Sequence, residues 1–534
     1  MASRETAERA VQTAVAAPPP PLFTDLGTYH HPVTCSPPAQ QYFDQGLRLV
    51  YGFNHDEAVR AFNEAARLDP SCAMAMWGVA LALGPNINQP LDAERGAAAH
   101  AAMQRAVALA PKASAAEQDY IAALAKRYSD DPGADRQQLD RAYADAMRQV
   151  VQRHPDDLDA ATLYAESLMD LRPWDLWSAD GQPRPETPEI VATLEGVLQR
   201  DPNHPGANHY YIHAIEASPH PEKGLPSAQR LATLVPGAGH LVHMPSHIYI
   251  RTGRYAEAAA ANRQAIAVDE RYLAAVQPDG VYPMMYYPHN IHFLWAAASM
   301  DGRSAEAIQA ARDVASKAPP EMVRQMPMVE YFMPTPYFAL VRFGHWQEIL
   351  AEPPPPDDLH YNAAMWHYAR GVAYAATGQF ADAERERAAL IAESQALPAD
   401  RIIGDNQSAA SLARLASLLL AGEIAARQGQ CETALPKLEE AVSIQDGLPY
   451  MEPPPWYYPA RQALGAVLLQ CGRPDAAAVV FREDLKRNPE NGWSLYGLAQ
   501  ALRAQGDPAA AAAADARFRT AWRDADVELT AARF

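Results

Sequence analysis

The feature that most limits how this chain can fold is a set of residue marks that returns at a fixed phase. From Ala39 the chain reads AQQYFDQGLRLVYGFNHDEAVRAFNEAARLDP, and counting Ala39 as position 1 puts Gly46, Ala58, Phe62, Ala65 and Pro70 at positions 8, 20, 24, 27 and 32. Near the other end Leu464 and Gly465 hold positions 7 and 8, Ala477 position 20, Phe481 position 24 and Pro489 position 32. Further copies run through Trp77 and Gly78, through Gly371 and Ala383, and through Tyr496 and Gly497. A short unit of this kind has too little apolar surface to make a core by itself, so successive copies must stack and share one. Alanine-rich segments separated by Pro and Gly turns make the unit helical.

These marks resemble the tetratricopeptide repeat (TPR), a helix pair of about 34 residues with small residues where the two helices touch. The resemblance covers roughly residues 39–520. It implies an all-α fold, a right-handed superhelical solenoid of TPR-like helix pairs over 39–534, preceded by a flexible Pro-rich segment over 1–38. It also implies that positions 2, 5, 9, 12 and 13 of each first helix face a concave groove. The HMPSHIY block at 243–249 is similar to one in a bacterial subgroup of these proteins, to which no reaction attaches.

Placed in that frame, histidine becomes the informative residue. Nine of the 17 histidines lie between residues 204 and 292. With Pro236 as position 32, His209 and His213 take positions 5 and 9; with Gly239 as position 1, His240, His243 and His247 take positions 2, 5 and 9. With Pro319 as position 32, His289 and His292 take positions 2 and 5, so all seven face the groove, in repeats spanning about 205–320. Spacings of three and four put side chains on one helical face regardless of family. Imidazole suits copper, iron and zinc, and three or four ligands make a site. The seven are therefore candidate metal ligands, at a mono- or dinuclear centre. His204 and His220 fall in proline-containing loops and read as structural.

Other residues extend the candidate site. In YAESLMDLRPWDLW, Glu166 and Asp170 take positions 9 and 13 and are candidate catalytic carboxylates, as metal ligands, orienters of a histidine or a general base. Pro245 sits inside a helical stretch and should kink it, re-aiming His240 and His243 relative to His247. Met284 and Met285 precede the last histidine pair and point to copper, although both methionine and tyrosine are ordinary packing residues. Insertions at 84–90, 172–188, 278–288, 353–356 and 446–459 interrupt the repeats. Their aromatic residues Trp174, Tyr286, Tyr287 and Tyr457 either roof a small-substrate pocket or staple loops to the surface.

A formal charge of −19 argues against nucleic acid and anionic membranes as partners. No apolar run is expected to span a membrane, which leaves a soluble chain, cytoplasmic, or periplasmic or secreted if an export signal was trimmed. Cys35, Cys72, Cys431 and Cys471 show no CxxC spacing; Cys35 and Cys72 either pair in an oxidising compartment or stay as buried thiols. HExxH, GxSxG, GxxxxGK[ST] and GxGxxG are all absent. The leading expectation is a metalloenzyme, a metal-dependent oxidoreductase holding copper, or else iron or zinc, and oxidising a small organic substrate. The alternatives are a scaffold that binds a peptide or protein partner, and a metal storage or chaperone protein.

Overall fold

The computed structural model describes residues 19–131, 133–404 and 406–534. They are predominantly helical; the strands named among them are the antiparallel pair Ile402–Ile403 and Gln407–Ser408. The chain forms two compact units, the first of residues 1–248 with 264–283, the second of 249–263 with 284–534. Both are built of helix pairs.

The repeat marks explain the packing. In the first unit Pro37–Tyr51, His55–Leu68 and Ala73–Leu83 pack in succession. The Phe62 ring sits where a methyl group on either Gly46 or Gly78 would come within 2.6 or 2.4 Å of it. In the second unit Ala460–Gln470, Pro474–Arg487 and Gly492–Ala504 repeat the arrangement, with Phe481 against Gly465 at 2.6 Å and Gly497 at 2.3 Å by the same measure. One phenylalanine from each second helix thus fills the space that two flanking glycines leave.

Turns and caps set the helix limits. Gly302, Gly378, Gly429, Gly472 and Gly506 lie two residues before a second helix with φ between 69° and 80°, a left-handed conformation open to glycine. In the first pair that place belongs to Phe53, at φ 55°. Asp157 caps Leu158–Met169 through the Ala160 amide, and Ser114 with Glu117 forms a capping box on Ala115–Leu124.

The first unit departs from a simple array, in which each repeat touches only its neighbours. Its Pro205–Ile215 helix packs against Pro37–Tyr51, with Gly206 close against the Tyr51 ring. The flexible segment expected over 1–38 falls partly, at 1–18, outside the described residues. Residues 19–36 are irregular but tied down: Tyr29 donates to Asp159 at 2.8 Å, His31 Nδ1 lies 2.7 Å from the same carboxylate, and Thr34 bonds to Glu117. Helix begins at Pro37.

The cysteines form two disulfides, Cys35–Cys72 and Cys431–Cys471. One expectation about membranes is corrected. Ala409–Arg427, 19 residues long, is apolar enough to cross a bilayer by length and composition, but 67% of its apolar stretch is buried in the second unit, where it packs against Cys431–Asp446 and Phe380–Ala396 as a core helix.

Candidate metal centre

Five of the seven histidines meet inside the first unit. His209 and His213 come from Pro205–Ile215, His240 and His243 from Gly239–His243, and His247 from Pro245–Arg251. The helix is interrupted at Met244–Pro245, as the proline requires. All five are at most 5% exposed, so they lie in an interior and not along an open groove.

One ring nitrogen from each of His209, His213 and His240 lies within 4.8 Å of the other two. Nε2 of His209 is 3.1 Å from Nε2 of His240, and Nε2 of His243 is 2.9 Å from Nε2 of His247. Two imidazole nitrogens bound to one ion at about 2.0–2.1 Å would themselves stand about 3 Å apart.

The opposite ring nitrogens have partners that fix the tautomers. His209 Nδ1 donates to the Tyr51 carbonyl at 2.7 Å. Glu216 accepts from His213 Nδ1 on one carboxylate oxygen at 2.8 Å, and its other oxygen lies 2.5 Å from His247 Nδ1 as an ion-pair contact. A carbonyl or carboxylate only accepts, so Nδ1 of His209 and of His213 carries the proton and their Nε2 presents a lone pair. His243 Nδ1 faces the Ser246 hydroxyl at 3.2 Å. Nε2 of His213 is buried and has no hydrogen-bond partner among the described residues.

Electrostatics follow the same plan. Burial, then the neighbouring His213, hold His209 well below the usual histidine range, and burial lowers His213 despite Glu216. Burial alone would raise Glu216, but His247 and the hydrogen bonds from both rings outweigh it and bring its carboxyl down to about 2. The result is a His209 and a His213 imidazole held neutral, with an ionised carboxylate beside them.

Aromatic rings close the cluster. Phe53 lies 4.5 Å from His209, 5.9 Å from His213 and 5.5 Å from His240 between centroids. Its left-handed backbone is costly for a bulky residue, and the contact with three histidines is what that conformation achieves. Trp174, also at positive φ, meets His213 edge-on at 5.6 Å. Trp177 donates to the Ala214 carbonyl and pins the same loop. Behind Tyr51 sits Asp159, which accepts from the Tyr51 and Tyr29 hydroxyls and from His31, with His204 at 3.4 Å. His204 also caps its own helix through the Ala207 amide, a structural role.

Glu166 and Asp170 require a correction. Both are buried, but their bonds run to each other and to Arg127, not to a histidine. Arg127 bridges Asp170 and Asp140 at 1% side-chain exposure. Burial first, then Asp170, raise Glu166 well above its ordinary value, with Arg127 opposing. The phase that turns these residues inward also delivers Arg127 from another repeat, and the cation captures them.

The remaining predicted residues belong to the second unit. His289 stands edge-on to Phe293 at 4.8 Å on Tyr287–Met300. His292 is packed on Trp295 at 4.8 Å and against Tyr331 and Phe332, and burial brings it down to about 3. Tyr286 and Tyr287 are buried, with Lys317 over the Tyr287 ring. Tyr457 stacks on Phe338 at 4.7 Å and bonds to the Tyr368 hydroxyl, as a staple of the 446–459 insertion. Sequence reasoning missed Glu216, Phe53, Tyr51 and Asp159.

No family model and no curated sequence matches the chain. Similar solved structures include a human IFIT1 dimer with m7Gppp-AAAA, at 11% identity over 97% of this chain and 94% of that one, with a TM-score of 0.33. The APC/C hetero-tetramer Cut9–Hcn1 gives 12% identity over 93% and 81%, again at 0.33. At these scores the likeness carries no argument about what this chain binds.

Proposed function

We propose that the first unit binds a transition-metal ion through Nε2 of His209, His213 and His240, with His243 and His247 as an adjacent pair able to extend the site to a second ion. The observation that carries this reading is the engagement of Nδ1 on His209 and His213 by a carbonyl and a carboxylate, which turns two buried lone pairs inward. That is the arrangement a metal needs from its ligands' outer partners. Neutral imidazole ligands suit copper first, then iron or zinc. The centre lies beneath Phe53 and Trp174, an enclosure that fits oxidative chemistry on a small organic molecule better than capture of a peptide. The two disulfides favour an oxidising compartment.

The test is elemental analysis of untagged protein by inductively coupled plasma mass spectrometry, beside His209→Ala/His213→Ala and His243→Ala/His247→Ala double variants. Near-stoichiometric metal in the parent, lost in the first variant with the helical spectrum intact, is the expected result. A parent that takes up no copper, iron or zinc after reconstitution overturns the reading and leaves a scaffold that binds a partner.

A further inference from the structure

In the second unit the helix Thr335–Arg342 ends in an arginine that forms no ion pair among the described residues, Asp484 acting on it only at longer range. Arg342 is 4% exposed, and its Nε and Nη2 have no hydrogen-bond partner among the described residues. The guanidinium lies over Trp493, 3.6 Å from the ring centroid, with Tyr458 at 5.5 Å. Stacking satisfies the face of the cation but not its N–H groups, which lie in the guanidinium plane. Nε and Nη2 together form one edge of that plane, the edge that matches the two oxygens of a carboxylate.

Arg342 lines a cavity of about 40 Å³ with Glu423, Arg533, Tyr457, Val372 and Leu419. Glu423 is already bonded to Arg427 and Arg533, and Arg427 also reaches the Phe534 oxygen. These acceptors therefore have their own cations, and Arg342 gains none of them. Burial lowers Arg342 to about 9, with Tyr457, Tyr458 and Asp484 partly opposing, so it stays charged at neutral pH. One water needs about 10–15 Å³ of such space, so the cavity holds about three water-sized groups.

We propose that this cavity is a carboxylate-binding subsite, in which the Nε–Nη2 edge of Arg342 takes both oxygens of a formate- or acetate-sized monocarboxylate and the apolar remainder rests on Val372 and Leu419. The site is independent of the metal centre. It is selective by shape: chloride reaches the edge with one atom, and phosphate exceeds the space.

The experiment uses the full chain, with binding of [13C]acetate followed by NMR line broadening and by the shift in thermal midpoint at constant ionic strength. Saturable acetate binding, at least tenfold tighter than chloride in competition, is expected. Arg342→Lys keeps the charge without the paired edge and should weaken acetate at least tenfold; Arg342→Met should abolish binding. Equal effects of acetate and chloride, no saturation by acetate, or unchanged affinity in Arg342→Lys would each overturn the proposal. If Arg342→Met does not fold, the anion competition on the parent protein and the lysine variant decide it.

Discussion

Replacing Glu216 by glutamine keeps the shape of a side chain at the back of the histidine cluster and removes one acceptor atom from it. In the parent one carboxylate oxygen accepts Nδ1–H of His213 at 2.8 Å and the other lies 2.5 Å from Nδ1 of His247. An amide has one oxygen and one NH2 group, so it can accept from only one of those rings. The other ring meets a donor, must present Nδ1 as an acceptor, and moves its proton to Nε2, the atom assigned to the metal. The penalty is the loss of one hydrogen bond to a charged group, about 1.5–3 kcal/mol, or roughly 10- to 100-fold in affinity. Because Glu216 is held at about 2, the parent carboxylate is ionised throughout the working range of such an assay. Copper(I), copper(II) or zinc affinity is read by competition with a chromophoric chelator at pH 7, and circular dichroism checks the fold. A glutamine variant that folds like the parent and binds metal within twofold of it would refute the tautomer argument. Glu216→Ala removes both acceptors and should lose more.

The other predictions concern the enclosure, the repeat packing and the second unit. Phe53→Gly should relieve a left-handed backbone, worth about 1 kcal/mol, yet uncover His209 and His240; chelator should then strip metal faster than from the parent, and an unchanged stripping rate counts against Phe53 as a cover. Gly46→Ala and Gly78→Ala each push a methyl group into the Phe62 ring and should cost roughly 1–3 kcal/mol in denaturant unfolding. The double variant should cost less than the sum, since one ring moves for both; strict additivity would mean the ring is not shared. His292 is held near 3 in the fold and near 6.5 when unfolded, so the unfolded chain binds the extra proton and stability falls as pH drops from 6.5 towards 3. Replacing His292 by phenylalanine should therefore shrink the stability difference between pH 7 and pH 5 by about 2 kcal/mol; an unchanged difference places that acid sensitivity elsewhere.

The repeat was legible because it rests on local size. Gly46, Phe62 and Gly78 stand in sequence at the spacing with which they touch, and Gly465, Phe481 and Gly497 do the same. Periodicity identifies neighbours, however, and is silent about helices that meet from opposite ends of a unit. The packing of Pro205–Ile215 on Pro37–Tyr51 has no periodic signal, and it is this packing that sets the Tyr51 carbonyl against His209. Composition also misread residues 19–36. Proline content suggested a loose segment, whereas Tyr29 and His31 converge on Asp159, a partner more than a hundred residues away.

The candidate site was legible to the extent that it lies on one helical face. Spacings of three and four brought His209 with His213 and His243 with His247, and the same rule would have found Glu216, three residues after His213, had carboxylates been sought behind the histidines as well as beside them. Phe53 left a signal too, as a bulky residue two before a second helix, where Gly378, Gly472 and Gly506 stand elsewhere. Glu166 and Asp170 shared the inward phase but not the destination, because phase gives the direction of a side chain and not which cation reaches it first; Arg127 did. The distinction bears on the chemistry. The carboxylate pair is closed by an arginine, whereas His209 and His213 have their outer nitrogens on a carbonyl and a carboxylate, and His213 Nε2 has no hydrogen bond among the described residues. Buried polar atoms are costly when unmatched. A metal ion, as proposed above, would accept the His213 lone pair without donating a proton.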